Sequence, residues 1–273
     1  MQILTSRVRH LTAGLAIGLG VLAAGNAAAA PIFWVNPNSN NLATQGTSFQ
    51  ADAMNGFSSA RIVYTGVGTD YTNDGYIFFN GFSLNANSIS TSDSRVNFDY
   101  GLYATFHQDV TCTGILGPGV TCTTNALSLQ LWADPDNDNV YNSATLGSDA
   151  SITMNGSQVQ LAYTTAALNT TAGIDNLGGV YQNITMTWFL TTEGKDYFFD
   201  PDPFFTAAFS ANNNTSQGVV CDGGPLCAGA HVIAINQVSS IIDFNGQVPE
   251  PGVLGLLGIG LLGMAGVYRR KQQ

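Results

Sequence analysis

Short runs of β-branched and aromatic residues, separated by clusters of Gly, Asn, Asp and Ser, recur between positions 61 and 244 and constrain the fold most strongly. Such runs are typical of β-strands bounded by turns. We predict eight strands, at 61–66, 76–84, 95–106, 126–132, 158–163, 180–191, 204–209 and 231–244. Because no window between the termini has sustained helical periodicity, we expect an all-β antiparallel domain, a β-sandwich or a jelly-roll-like fold.

Two of these runs have apolar side chains at every second position, which places those side chains on one face of a strand. The apolar positions are Leu127, Leu129 and Leu131 in one run, and Ile184, Met186 and Trp188 in the other. Segments 167–179 and 211–217 are interpreted as surface loops between the strands.

The first 29 residues have the three parts of a secretory signal peptide. Arg7, Arg9 and His10 form the basic region, and residues 11–24 form the apolar region. The small residues at 27–29 are those that signal peptidase requires, so we predict cleavage after position 29. An uncleaved N-terminal anchor is the alternative. A domain from 30 to 247 follows.

Residues 248–273 combine a Pro-Glu-Pro motif, an apolar run and a basic tail. The motif is Pro249, Glu250 and Pro251, the apolar run is 252–268, and the basic tail is Arg269, Arg270 and Lys271. The apolar run is near the lower limit of about 17–25 residues for a transmembrane helix, and the basic tail favours the cytoplasmic side. Because prolines interrupt a helix, the motif is expected to be extended and reachable by a protease. A simple C-terminal membrane anchor is the alternative.

This order of elements resembles the PEP-CTERM sorting signal of Gram-negative bacteria that make exopolysaccharide. The resemblance implies that an exosortase, a membrane-embedded cysteine-dependent transpeptidase, processes the tail at Pro-Glu-Pro. It also implies export through the inner membrane, a transient membrane anchor through the C-terminal helix, and a final location at the cell surface or in the extracellular matrix.

The charged residues are few and mainly acidic, with 8 Lys and Arg against 18 Asp and Glu, for a net charge of −10. Nucleic-acid binding needs a basic patch for the phosphates, so we exclude a nucleic-acid partner. A strongly negative domain favours solubility and cation binding, and it is repelled by anionic surfaces at low salt.

The four cysteines fit an oxidising compartment. Cys112 and Cys122 enclose a loop that contains Gly and Pro, and Cys221 and Cys227 flank a turn sequence. Local pairing, Cys112–Cys122 and Cys221–Cys227, is the simplest of three connectivities. A metal or redox site is the alternative, but the chain contains no Cys-x-x-Cys motif.

Alternating carboxylates after the predicted strand 126–132 indicate a candidate calcium loop. Asp134, Asp136 and Asp138 can converge on one ion if the backbone loops around it, with a carbonyl from Val140 and a ligand or bridging water from Asn142. The bidentate glutamate of an EF-hand is missing at the twelfth position. Calcium is the one cofactor that the sequence suggests, and a solvated acidic turn is the alternative.

Segment 196–205 mixes aromatic rings with carboxylates. If exposed, it could stack on sugars or on another protein; if buried, its phenylalanines would fill the core. The chain lacks a Gly-x-Ser-x-Gly motif, a His-Glu-x-x-His motif and a phosphate-binding loop with Lys. We therefore expect no catalytic residues.

The domain itself resembles the flocculation-associated PEP-CTERM proteins of exopolysaccharide-forming bacteria. The matching segments are 49–52, 54–56, 100–103, 127–131 with 134–136, and 202–205 before 209–210. This resemblance implies a role in cell aggregation (flocculation) or biofilm formation in a matrix of exopolysaccharide, with the exopolysaccharide as partner, and it transfers no catalytic residue. A secreted polysaccharide-active hydrolase anchored by the same tail is the alternative function.

Overall fold

The computed structural model of the protein describes residues 31–213 and 218–244. The predicted signal peptide at 1–29 lies outside the described residues, as do the Pro-Glu-Pro motif, the predicted transmembrane helix and the basic tail. Within the described ranges, no helix has both the length and the apolar character needed to cross a membrane.

The strands and helices are short to medium in length and follow one another with few long connections. The strands are β1 (Phe33–Val35), β2 (Phe49–Ala51), β3 (Ala53–Tyr64), β4 (Asp70–Leu84), β5 (Asn87–Ser88), β6 (Gly101–Cys112), β7 (Thr121–Asp134), β8 (Val140–Asn142), β9 (Ser151–Thr153), β10 (Val159–Thr164), β11 (Ala167–Ile174), β12 (Val180–Thr187), β13 (Phe189–Leu190), β14 (Phe198–Asp200), β15 (Ala207–Asn213), β16 (Val219–Cys221) and β17 (Val232–Asp243). The helices are α1 (Thr91–Ser94) and α2 (Thr192–Tyr197), and short 3-10 turns cover Ser39–Asn41 and Pro225–Cys227.

Eight of these strands form one closed antiparallel circuit, in the order β3, β4, β6, β7, β11, β12, β15, β17 and back to β3. The circuit closes where Cys122 of β7 pairs with Ala172 of β11, beside Thr121 and Gly173. Gly173 is required there because a Cβ atom would collide with the carbonyl oxygen of Val120. The predicted all-β antiparallel class is confirmed, and eight of the strands close into one barrel-like sheet, beside a small sheet of β14, β1 and β2 and the hairpin of β8 and β9.

The prediction of a loop at 167–179 is wrong, because β11 occupies its first eight residues and closes the circuit. Only the last three residues of β11 are buried, so the strand lacks the apolar pattern by which the other strands were recognised. The segment 211–217 likewise begins as the end of β15. The predicted strand 95–106 starts too early, since Arg95 and Asn97 have positive φ angles and form a turn before β6.

The core lies inside the closed sheet and between that sheet and a small sheet of β14, β1 and β2. Leu127, Leu129 and Leu131 are buried in it, which confirms the alternation read from the sequence. Phe33 of β1 is fully buried and packs edge-on against Phe244, with ring centroids 4.9 Å apart. Burial of such aromatic side chains supplies much of the hydrophobic stabilisation of a β domain.

Both predicted disulfides are present, Cys112–Cys122 and Cys221–Cys227. The segment that follows the second disulfide contacts the loop of the first, because the backbone N–H of Gly229 donates a hydrogen bond of 2.9 Å to the carbonyl of Leu116.

Candidate functional site

A cleft of about 400 Å³ opens where β10, β13, α2 and the segment 198–206 meet. We call it the aromatic cleft. Its lining includes Tyr163, Trp188, Phe189, Lys195, Phe199 and Asp202. The mixed aromatic and acidic segment recognised in the sequence, 196–205, supplies one wall.

Three aromatic rings of the cleft are exposed to solvent. Tyr163 and Phe189 are directly opposite each other in the register of β10 and β13, with ring centroids 5.5 Å apart and planes tilted by 33°. Phe199, on the facing wall, lies 6.0 Å from the ring of Trp34. The exposed fractions of Tyr163, Phe189 and Phe199 are 38%, 40% and 43%. All three residues line the cleft, so a ligand bound there would meet partly exposed aromatic side chains.

The floor of the cleft contains an unsatisfied hydrogen-bond donor. Trp188 is 1% exposed and packs against Phe244, with ring centroids 5.4 Å apart. Its buried indole N–H has no hydrogen-bond partner among residues 31–213 and 218–244. Because this N–H group is buried, it is not open to a ligand in the cleft, and Trp188 contributes to the floor through the packing of its ring.

Segment 196–205 contributes both to the buried core and to the exposed surface, at neighbouring positions. Phe198 is buried in the core, and Phe199 is exposed in the cleft. Both residues belong to β14, and successive side chains of a strand point to opposite faces. The sequence pattern could not decide between core and surface because the segment serves both.

The short helix α2 positions the cationic side of the cleft. Thr191 is its N-cap residue: the Thr191 hydroxyl accepts from the N–H of Gly194 at 2.9 Å and donates to the carbonyl of Gln160 at 2.6 Å. Gly194 lies against the backbone carbonyl of Leu161 so closely that no Cβ atom fits. These contacts hold α2 on β10 and place the next residue, Lys195, at the cleft.

Lys195 differs from the other two basic residues of the domain. Arg61 is paired with Asp149 at 2.9 Å, and Arg95 is paired with Asp99 at 2.7 Å. The hydrogen bonds from Arg95 lower the pKa of the Asp99 carboxyl. Lys195 makes no ion pair with any described residue. Its ammonium group is therefore available to a ligand in the cleft.

The candidate calcium loop is organised around one carboxylate. Asp134 is 1% exposed and accepts hydrogen bonds from the backbone N–H groups of Asp136 at 3.3 Å, Asp138 at 3.0 Å and Asn139 at 3.0 Å. The side chains of Asp136 and Asp138 are exposed. The Asp134 carboxylate thus serves as the internal acceptor of a tight turn.

The other predicted ligands lie in a hairpin rather than in the turn. Val140 and Asn142 belong to β8 and pair with Thr153 and Ser151 of β9. In the part of the chain that the structure describes, no group of three or more His, Cys, Asp or Glu side chains is placed to hold a metal ion. Calcium binding by this loop stays a prediction.

The same hairpin places Tyr141 over the outer face of the closed sheet. The Tyr141 ring lies 4.9 Å from the ring of Phe78 and 6.2 Å from that of Tyr103. Burial, together with the negative charge of Asp134, raises the pKa of Tyr103 to about 12. This phenol therefore stays neutral at physiological pH and acts as a hydrogen-bond donor, to Gln158 at 3.0 Å.

Sequence reasoning missed two exposed rings of the cleft, Tyr163 and Phe189. They lie 26 positions apart in the chain and become neighbours through the pairing of β10 with β13. The available signal was an aromatic residue in each predicted strand run, Tyr163 at the end of 158–163 and Phe189 two residues before the end of 180–191. The register that brings the two together cannot be read from one sequence.

The C-terminal segment of the chain is similar to a known sorting signal. Residues 247–271 match the PEP-CTERM protein-sorting motif. This match confirms the predicted PEP-CTERM motif. No curated protein and no solved structure matched the chain. The motif implies processing by an exosortase, export through the membrane and a transient C-terminal anchor.

Proposed function

We propose that this protein is a non-catalytic surface or matrix protein that binds exopolysaccharide in the aromatic cleft and thereby promotes cell aggregation (flocculation) or biofilm formation. The observation that carries the proposal is the set of three exposed rings, Tyr163, Phe189 and Phe199, around a cleft of about 400 Å³. That volume lies in the usual range of about 300–1,000 Å³ for ligand pockets.

The chemistry of the cleft suits a pyranose chain. The C–H faces of a sugar ring are apolar and pack on aromatic rings, while its hydroxyl groups need donors and acceptors. Asp202 can accept from hydroxyl groups, and Lys195 can donate to them; both line the cleft.

The charge of the protein favours a neutral polysaccharide over an acidic one. The net charge is −10, and a polyanion approaching such a surface is repelled. A single unpaired lysine in the cleft does not reverse that field, since Asp202 stands in the same cleft. Stacking and hydrogen bonding, rather than charge, would then supply the affinity, so the binding should depend little on salt.

The sorting motif supports this proposal because it implies export through the membrane. A protein exported and processed by an exosortase meets the exopolysaccharide of its host outside the cytoplasm. In this proposal, a domain held at the cell surface that binds the polymer links each cell to the shared matrix.

The first test is co-sedimentation of the purified protein with exopolysaccharide from its host. We expect Phe199→Ala to weaken binding by about tenfold, because loss of one stacked ring removes about 1–2 kcal/mol of apolar burial. Phe98→Ala is the matched control, since Phe98 is an equally large ring, is 69% exposed and lies outside the cleft. Equal losses in both variants, or in neither, would contradict the proposed site.

The second test separates a binding protein from a polysaccharide-active hydrolase. Deletion of the gene should abolish settling of the culture without changing the amount of exopolysaccharide, and Phe199→Ala should fail to restore settling. The purified protein should release no reducing sugar from the polymer. Release of reducing ends, or normal settling with a shortened polymer, would replace the proposal with the hydrolase.

A further inference from the structure

The hairpin of β8 and β9 is fastened to the outer face of the closed sheet through the loop that joins its strands. The backbone N–H of Ala144 donates to the hydroxyl of Ser59 at 2.9 Å, and the carbonyl of Ala144 accepts from the side chain of Asn236 at 3.0 Å. Arg61 donates to the carbonyl of Leu146 at 2.9 Å. These contacts hold the hairpin loop against β3 and β17.

A second cleft, of about 240 Å³, lies between this hairpin and the sheet. We call it the hairpin cleft. Its lining includes Phe57, Phe78, Tyr141, Ser143 and Gln237, and every residue that lines it is uncharged. A charged ligand would lose its hydration there without a partner of opposite charge, so the hairpin cleft suits a neutral ligand. It shares no lining residue with the aromatic cleft.

A row of aromatic side chains crosses three neighbouring strands beneath the hairpin. Phe57, Phe78 and Tyr103 are directly opposite one another in the register of β3, β4 and β6. Tyr141 packs on the last two, with its ring 4.9 Å from Phe78 and 6.2 Å from Tyr103. Phe57, at the end of the row, is 46% exposed. A ligand in the hairpin cleft would therefore meet a partly exposed aromatic side chain.

A β-bulge in β17 supplies polar groups beside that ring. The register between β17 and β3 shifts between Ile235 and Val238, so that Asn236 and Gln237 lie opposite the single residue Ser59. Gln237 has a φ angle of 57°, which a residue with a Cβ atom adopts at a cost. Asn236 binds the hairpin loop, and Gln237 is exposed at the cleft. Bulges often redirect a side chain beside a functional site.

The size and the groups of the hairpin cleft fit one sugar residue. Its volume lies just below the range of about 300–1,000 Å³ for pockets that hold drug-sized ligands. A neutral sugar ring has an apolar C–H face, which packs on an aromatic ring such as Phe57. Its hydroxyl groups both donate and accept, as do the amide of Gln237 and the hydroxyl of Ser143.

We propose that the hairpin cleft binds a neutral sugar residue of the same exopolysaccharide, so that one protein molecule holds two segments of polymer. The inference rests on the proposed function, because its ligand is the polymer assigned to the aromatic cleft. Two separate sites on one domain join two polymer segments, and engagement of both raises the avidity beyond the affinity of either site alone.

The test is an NMR titration of the purified ¹⁵N-labelled protein with oligosaccharides made by partial acid hydrolysis of the exopolysaccharide of its host. The backbone amide resonances of Ser143 and Gln237 report on the hairpin cleft, and those of Phe189 and Phe199 report on the aromatic cleft. We expect saturable shifts in both sets of resonances.

Two variants separate the clefts. Phe57→Ala should weaken binding at the hairpin cleft by about tenfold through loss of the packed ring, and leave the aromatic cleft unchanged. Phe199→Ala should do the reverse. Phe98→Ala is the matched control and should change neither, because Phe98 lies outside both clefts.

Gln237→Gly tests the polar side without disturbing the fold, because glycine adopts a positive φ freely. Its melting temperature should not fall, while binding at the hairpin cleft weakens about fivefold through loss of one hydrogen-bonding side chain.

The outcomes distinguish this inference from the proposed function. Shifts at the aromatic cleft alone, or unchanged affinity at the hairpin cleft in folded Phe57→Ala, would overturn the inference and leave the proposed function standing. Shifts at the hairpin cleft alone would support the inference and contradict the aromatic cleft as a site. Shifts at neither cleft would overturn both.

Discussion

Replacing Asp134 with Asn tests whether the acidic loop is built on one carboxylate or on a cation. In the structure the two oxygens of Asp134 accept from three backbone N–H groups, and the side chain is buried. Asn keeps one acceptor and brings an NH₂ group toward donors, so at least one buried N–H loses its partner. Loss of hydrogen bonds to a charged group, with a donor left unpaired, costs about 2–4 kcal/mol. For a domain of this size the melting temperature should fall by roughly 5–15 °C.

The assay is thermal unfolding of the purified protein by circular dichroism, with and without added calcium. Asp138→Asn is the matched control, because the Asp138 side chain is exposed and its backbone supplies one of the three donors. We expect the free energy of unfolding of this control to stay within about ±0.5 kcal/mol of wild type, as is usual for surface substitutions. The explanation is refuted if Asp134→Asn unfolds like wild type. It is also refuted if calcium stabilises wild type and either substitution abolishes that effect, since the carboxylates would then act as ligands.

Three further predictions follow from single contacts. Asp74 lies 2.6 Å from His107 and raises the pKa of that imidazole above 6.5. The ion pair therefore stabilises the fold fully below about pH 6.5, and this stabilisation is lost as the pH rises through the raised pKa. NMR titration of His107 should show this pKa returning toward its ordinary value in Asp74→Asn. Tyr197→Phe removes the 2.7 Å hydroxyl contact with Tyr100 and should cost about 1 kcal/mol in urea unfolding, with an unchanged slope. Gly194→Ala should weaken polysaccharide binding more than Phe98→Ala does, because the added methyl group pushes α2 away from β10 and displaces Lys195. Unchanged co-sedimentation would count against this positioning role of Gly194.

The sequence predicted those parts of the fold in which a strand has one buried face. The leucines of β7 alternate with polar residues, so both the strand and its inward face were recognisable. β11 was not recognised, because it is largely solvent-exposed and is held by backbone pairing with β7 and β12. Backbone hydrogen bonds leave no mark on side-chain composition. For this reason closure of the sheet was not predictable from one sequence.

The candidate site was predictable in composition and not in geometry. The run 196–205 indicated aromatic rings beside carboxylates, and the structure places both Phe199 and Asp202 in the cleft. The other wall comes from residues of separate strands, brought together by register. The acidic loop shows the converse case: alternating aspartates suggested a cation, yet the first of them turns inward to bind backbone N–H groups.

The burial of Phe244 fixes how far the domain can stand from its membrane anchor before processing. Phe244 is fully buried in the core, and Pro249 of the sorting motif follows five residues later. The predicted transmembrane run begins at position 252, and even a fully extended chain spans at most about 29 Å over the eight residues from Phe244. Trp188 at the floor of the aromatic cleft packs against Phe244, so the cleft lies near the place where this segment leaves the domain. Before processing, this end of the domain is therefore held near the membrane, and inserting residues between positions 244 and 249 should let the domain stand further from it.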